Sequence, residues 1–196
     1  LRRPWLCAPG NLFATLVCPQ ATGQWNELRP LVFGYLLAEA LEGLFGAVLI
    51  KWPNDILIGD RKVGGILVEE RGDCILVGIG LNLVWAPGTE ELREGHAVTA
   101  GMIPAGSAGL GPLGLWLSLV NRLETGYRTL LETHSPAEFL TLFRSRLAWA
   151  GRRVLVQEGA RTRYTAIITG VSEKGELVLN RDGDEVVLVS GDVTPV

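Results

Sequence analysis

Lys51 closes a buried-strand pattern. Ala47-Val48-Leu49-Ile50 is an apolar run of the length a buried strand takes, and Lys51-Trp52-Pro53-Asn54-Asp55 follows it directly. Proline has no N–H, so it ends a ladder or sits at its edge. Asn54 and Asp55 favour a turn because their side chains bond their own backbone. Ile56-Leu57-Ile58 then resumes as a strand. The lysine is thus held at a strand mouth by a stiff corner. One chemistry open to it is that of a fixed point charge for a carboxylate or phosphate. The plainer alternative is a strand-end lysine that snorkels to water. Fifteen of the eighteen basic residues are arginine, and only Lys51, Lys62 and Lys174 are lysine. A chain that otherwise uses arginine, yet keeps lysine here, favours the point charge.

The next stretches supply a surface beside that charge. Val63-Gly64-Gly65-Ile66-Leu67-Val68-Glu69 reads as a strand whose glycine pair lets a backbone or ligand approach closely. Cys74-Ile75-Leu76-Val77-Gly78-Ile79-Gly80-Leu81-Asn82-Leu83 reads as another, with Gly78 and Gly80 leaving one face bare. A bare face next to an anchored lysine makes a slot for a flat or extended ligand. The competing reading is close packing of a helix on the sheet, and one glycine pair alone does not choose between them.

The elements that must hold these residues follow from pattern. Leu12 to Cys18 reads as a strand that Pro19 ends, and Asn26 is a candidate cap for a helix from about Glu27 to Leu44 with Pro30 in its first turns. The four runs from Ala47 to Val84 are joined by turns short enough to require a largely antiparallel sheet. Ala97-Val98-Thr99-Ala100 is a short extended piece, and 101–114 is a Gly-, Ala- and Pro-rich connector without a Gly-Lys-[Ser/Thr] ending. Leu115, Trp116, Leu119, Val120, Leu123, Tyr127, Leu130 and Leu131 trace a helical core stripe. Ser135-Pro136-Ala137-Glu138 is a capping box opening a helix through about Trp149. Gly151 marks a composition shift, so the chain divides into a first domain over 1–150 and a second over 151–196. The second reads as four short strands separated by turns at Gly159, Gly175 and Gly183.

Composition excludes several classes. The chain has 196 residues, is 47% hydrophobic and carries a net charge of −3. That suits a core-forming globular protein, and the absence of a basic run argues against nucleic-acid binding. No apolar run is long enough for a membrane span. Cys7, Cys18 and Cys74 have no metal-like spacing and suit a reduced, cytoplasmic protein. His96 and His134 stand apart without a ligand pattern, so no metal site is expected.

Lys51-Trp52-Pro53-Asn54-Asp55, the Lys62 to Glu69 strand and Gly78-Ile79-Gly80-Leu81-Asn82, in this order and spacing, resemble the catalytic core of bacterial biotin protein ligases. Arg3-Pro4-Trp5 and Ala8-Pro9-Gly10-Asn11-Leu12 resemble the end of that family's glycine- and arginine-rich loop, with the portion upstream of it missing here. Gly170 to Leu177 resembles the family's C-terminal Src-homology-3-like barrel. The resemblance implies an α+β fold: a mixed, mostly antiparallel sheet packed by helices, class II synthetase-like, followed by a small SH3-like β-barrel.

The function implied is ATP-dependent activation of biotin as biotinyl-5′-AMP, with Mg²⁺ accompanying ATP, and transfer to a lysine of the biotin carboxyl carrier protein of acetyl-CoA carboxylase. By the same resemblance Lys51 is catalytic, and Arg3, Lys51, Gly64, Gly65, Gly78 and Gly80 bind biotin. Arg3, Trp5 and Asn82 bind the nucleotide, while Asp55 or Glu69 could assist Mg²⁺. Family members are monomers or homodimers joined through sheet edges. Two alternatives stay open: a lipoate or octanoate ligase of the same superfamily, and a catalytically incomplete partner of carboxylase subunits.

Overall fold

The structure is a computed structural model that describes residues 6, 8–21, 23–88, 100–103, 110–159 and 162–196. Its first sheet is built from β1 (Leu12–Pro19), β2 (Val48–Lys51), β3 (Asp55–Ile58), β4 (Arg61–Arg71) and β5 (Cys74–Leu81). The spatial order is β1-β5-β4-β3-β2. Every pairing is antiparallel, as the short turns at Gly59-Asp60 and Gly72 require for β3-β4 and β4-β5.

Helices cover one face of this sheet. In α1 (Trp25–Phe45), Leu28, Leu31, Val32, Phe33, Leu36, Leu37, Leu41 and several alanines are buried. A helix apolar nearly all round needs cover on all sides. α1 finds it between the sheet and two further helices, α2 (Pro112–Thr133) and α3 (Pro136–Arg144). Of the expected stripe of α2, Leu115, Leu119, Leu123, Tyr127 and Leu130 are buried, while Trp116, Val120 and Leu131 flank them and are only partly buried. Tyr127 stacks on Phe33 of α1 at 4.8 Å between ring centroids. On the helix side of the sheet Leu12, Leu81, Ile56 and Ile50 are all buried, and Ile50 lies against Gly34 of α1.

Two helix expectations need correcting. Asn26 does not cap α1: a turn through Gly23 starts the helix at Trp25, and the Asn26 amide lies inside the first turn. The capping box at Ser135 forms with both of its bonds, but α3 stops at Arg144 and does not run on to Trp149. The backbone beyond it pairs with the edge of β2. Ile50 N–H donates to the Arg146 carbonyl at 2.8 Å, and Ala148 N–H donates to the Ile50 carbonyl at 2.9 Å. An edge strand in need of partners thus outcompetes further helix.

The second sheet comes wholly from the C-terminal stretch. It holds β6 (Arg153–Glu158), β7 (Thr162–Val171), β8 (Leu177–Arg181), β9 (Asp184–Leu188) and β10 (Asp192–Pro195), in the order β10-β6-β7-β8-β9. β10 was not legible as a strand because it has only four residues and ends in proline. It nevertheless buries Val193 opposite Val156. The two sheets belong to bodies in direct contact. Arg144 Nη2 donates to the Val171 carbonyl at 3.1 Å, and Gln24 Nε2 donates to the Glu173 carbonyl at 2.8 Å. Leu28 and Leu31 of α1 press on Gly175.

Candidate active site

Register builds the site. Phe13, Gly80, Gly65, Asp55 and Lys51 lie opposite one another in a single row across all five strands of the first sheet. Directly opposed residues of antiparallel strands share a face. The row points away from the helices, because the neighbouring row, Leu12, Leu81, Gly64, Ile56 and Ile50, is the one that meets them. One pair further along, Thr15, Gly78 and Leu67 repeat the outer face. Gly65, Gly80 and Gly78 therefore form a floor without side chains. Phe13, 46% exposed, borders it on β1, and Asp55 and Lys51 border it on β3 and β2. At the usual strand spacing the floor from β1 to β3 is about 14 Å across.

Gly64 is not part of that floor. It faces the helix side, where an added Cβ would stand 2.5 Å from both the Gly80 carbonyl oxygen and Leu81 Cδ2. Its small size serves packing, so the glycine pair splits between the two alternatives left open by the sequence.

The corner that carries Lys51 is stitched on both sides. Asn54 Nδ2 donates to the Ile66 carbonyl at 2.6 Å, and Ile66 N–H donates back to the Asn54 carbonyl at 3.0 Å. This ties the corner to β4 beside Gly65. Trp52 is buried, and its indole N–H donates to the Gly175 carbonyl in a turn of the second sheet at 2.8 Å.

Lys51 itself is only 6% exposed. Its ammonium lies 3.4 Å from Asp55 Oδ2 and closer still to Asp192 Oδ1 of β10. The other oxygen of Asp55 pairs with Lys62. Lys62, Asp55, Lys51 and Asp192 thus alternate in sign. A buried ammonium needs such partners, since desolvation alone would expel its charge.

Asn82, also buried, directly follows β5. Its Nδ2 donates to the Gly101 carbonyl at 3.0 Å, and its backbone links Val63 to Ile103. Asn11, whose type and position in the sequence signal no role, is a second buried amide beside the floor. Its Oδ1 accepts from the N–H groups of Leu83, Val84 and Trp85 at 2.9 to 3.2 Å, and its Nδ2 donates to the Trp85 carbonyl at 2.8 Å. It fixes the path of the chain as it leaves the floor.

Arg3 and Trp5 lie outside the described residues, as do Cys7, His96 and the extended piece 97–99. Ala100 is described and bridges to Lys62. Asp55 and Glu69 are not brought together: Glu69 stands four residues along β4 from Gly65, about 13 Å away. Among the described residues no group of three or more His, Cys, Asp and Glu could hold a metal ion. None of their helices is long and apolar enough to cross a membrane.

Residues 2–82 match the model of the biotin/lipoate A/B protein ligase family. The chain is 27% identical to the biotin–[acetyl-CoA-carboxylase] ligase of Paracoccus denitrificans, over 97% of this chain and 82% of that protein. A solved biotin protein ligase from Aquifex aeolicus, in complex with biotin and ATP, superposes with a TM-score of 0.73 at 26% identity. The superposition covers 98% of this chain and 81% of that one. The likeness to the biotin/lipoate A/B protein ligase family thus rests on residues 2–82, and the likeness to the Paracoccus and Aquifex ligases spans nearly the whole chain. It is also 31% identical to the bifunctional ligase/repressor BirA of Escherichia coli K12, over 84% of this chain but only 51% of BirA. The family match ends at Asn82, so it takes in the whole row from Phe13 to Lys51 and the glycine floor. Asp192 lies beyond it.

Proposed function

We propose that this chain is a biotin protein ligase that activates biotin with ATP and transfers it to a lysine of a carboxylase carrier domain. The observation that carries the reading is the row of Lys51, Asp55, Gly65 and Gly80: a bare floor with one fixed ammonium at its end. The ligand that suits it is flat or extended, apolar along most of its length, and ends in a carboxylate. Biotin meets each condition. The Paracoccus relative is named for this activity, and the Aquifex structure holds biotin and ATP.

The chemistry joins two anions. A biotin carboxylate oxygen attacks the α-phosphorus of ATP, the bond to the β-phosphate breaks, and pyrophosphate leaves with the electron pair. At about 4 Å, two unit charges repel by about 4 kcal/mol at an effective dielectric of ~20. The Lys51 ammonium offsets that repulsion and needs no reorganisation, because it is already fixed. In the second step the amine of the acceptor lysine attacks the acyl carbon, and AMP departs. The same ammonium then stabilises the leaving phosphate.

Gly65, Gly80 and Gly78 would bear the biotin rings, with Phe13 at their margin. Asn82 has its Nδ2 committed to Gly101. Its Oδ1 would accept from a ribose hydroxyl rather than meet a phosphate. Arg3 and Trp5 retain the roles the family resemblance gives them, on the adenylate oxygens and adenine. ATP enters as its magnesium complex. Asp55 does not suit direct ligation of that ion, because both of its oxygens already hold ammonium groups.

The acceptor we assign is the biotin carboxyl carrier protein. Free thiols at Cys18 and Cys74 suit a reducing compartment, and we place the reaction in the cytoplasm. For a homodimer through sheet edges, β1 is the edge to expect. Among the described strands it pairs only with β5, whereas the β2 edge is taken by residues 146–148. The test of the reading is to offer biotin, lipoate and octanoate with MgATP and to follow acyl-adenylate formation. Biotin alone should react well; preference for either fatty acid would overturn the assignment.

A further inference from the structure

We propose that Asp192 is a positioning residue for Lys51. It reaches across from the C-terminal sheet and, together with Asp55, holds the Lys51 ammonium in the direction that meets the substrate oxygens. This rests on the function just given. Lys51 sits on the edge strand of its sheet, and a lysine side chain has several rotatable bonds whose freedom is lost when it is fixed. Asp55 at 3.4 Å is a loose restraint, and Asp192 is the closer partner. An ammonium has three donors and no acceptor. Two are directed at Asp55 and Asp192, and the third is left for a ligand oxygen.

Asp192 is itself fixed in place. Its Oδ1 accepts from the N–H of Val193 at 3.0 Å, and β10 pairs it with Gln157 of β6. Gly191 allows this approach: a Cβ there would stand 2.8 Å from the Gln157 carbonyl oxygen. The pair also joins the two parts of the molecule, so docking of the C-terminal sheet and the aim of Lys51 are one event.

The sign of the charge separates this role from others. A second carboxylate beside Lys51 repels anionic substrates, so it cannot serve to attract them. Its benefit must lie in orientation, which enters the rate and not the affinity. Replacing it should slow the chemical step while leaving the KM for ATP unchanged or lower. A residue that served only to dock the C-terminal sheet would show no such split.

The experiment measures pyrophosphate release from biotin and MgATP by the purified protein and its variants. Asp192→Asn should lower kcat about tenfold or more, the scale of a small misplacement of a reacting group, with no rise in the KM for ATP. Asp192→Glu, which keeps the charge on a longer arm, should recover part of that loss. Arg144→Met removes a different bond between the two parts and should keep kcat. The proposal is overturned if Asp192→Asn retains kcat within about twofold of wild type, well under a tenfold step. It is also overturned if Asp192→Glu gains nothing over Asn, or if Arg144→Met loses as much as Asp192→Asn. Should Asp192→Asn lack a cooperative thermal transition, Asp192→Ser carries the test with the same two readings. A wild-type protein that forms no biotinyl adenylate would instead overturn the underlying function.

Discussion

Gly65 stands directly opposite Gly80 across β4 and β5, while its neighbour Gly64 stands opposite Leu81 on the other face of the sheet. Two adjacent glycines therefore do different things. Gly64→Ala would force a Cβ to 2.5 Å from the Gly80 carbonyl. Overpacking of this kind costs about 1–3 kcal/mol, which a urea or thermal melt will show. Gly65→Val and Gly80→Val place bulk on the floor and should raise the biotin KM with a smaller loss of stability. Equal behaviour of the three variants would mean that the floor is only core.

Asn11 should prove a strong stabiliser for a polar residue. Asn11→Ala strands three backbone N–H groups and one carbonyl where the chain leaves β5. Leaving such groups without partners costs about 2 kcal/mol in total or more. Asn11→Asp keeps the acceptor and should lose less. Thermal unfolding of the two variants checks this, and a midpoint for Asn11→Ala equal to wild type would refute it.

The cysteines should differ in reactivity. Burial pushes the Cys18 thiol up to about 11, with the Glu124 carboxylate adding to the shift. Cys74 is only half-buried. Near pH 8 about one Cys18 in a thousand would be thiolate, the nucleophilic form. Iodoacetamide followed by peptide mass mapping should find Cys74 modified in the native protein and Cys18 only after denaturation. Labelling of both at one rate would contradict the burial.

Acid should loosen two helix junctions. A hydrogen bond from Arg146, and then its charge, hold the Glu42 carboxyl below the usual range. The backbone N–H of Ser135, and then its hydroxyl, do the same for Glu138 in the capping box. A carboxyl lowered on folding gives stability that is present above its unfolded value, near 4.3, and is lost as pH falls through the folded value. Glu42→Gln should therefore shrink the fall in thermal midpoint between about pH 5 and pH 3. An unchanged fall would show that this pair contributes nothing.

Much of this was legible in the sequence because the signals are local. Pro53, Asn54 and Asp55 announce a corner after an apolar run, and the turns at Gly72, Gly175 and Gly183 all have positive φ, as their residue type suggests. What the sequence concealed depends on partners far along the chain. α3 ends at Arg144, and the Arg146 carbonyl just beyond it accepts from Ile50 N–H, more than ninety residues back. Gly64 and Gly65 are the same residue type, and only register assigns them to opposite faces. Asp192 lies in a four-residue strand with no clean alternation, and its contact with Lys51 spans 141 residues. Asn26 has the right type for a cap, but the turn at Gly23 starts the helix before it.

The central claim is that Lys51 supplies the fixed charge that lets biotin and ATP react. Formation of biotinyl-5′-AMP from biotin and α-labelled MgATP, by wild type and by Lys51→Ala, tests it most directly. Wild type should form the adenylate. Lys51→Ala should remain folded yet be slower by about a hundredfold or more, the usual loss when a charge aimed at a transition state is removed. Lys51→Arg should restore only part, since a planar guanidinium is a poor match for a site held between Asp55 and Asp192. Adenylate formation by folded Lys51→Ala at a near wild-type rate would remove Lys51 from the mechanism.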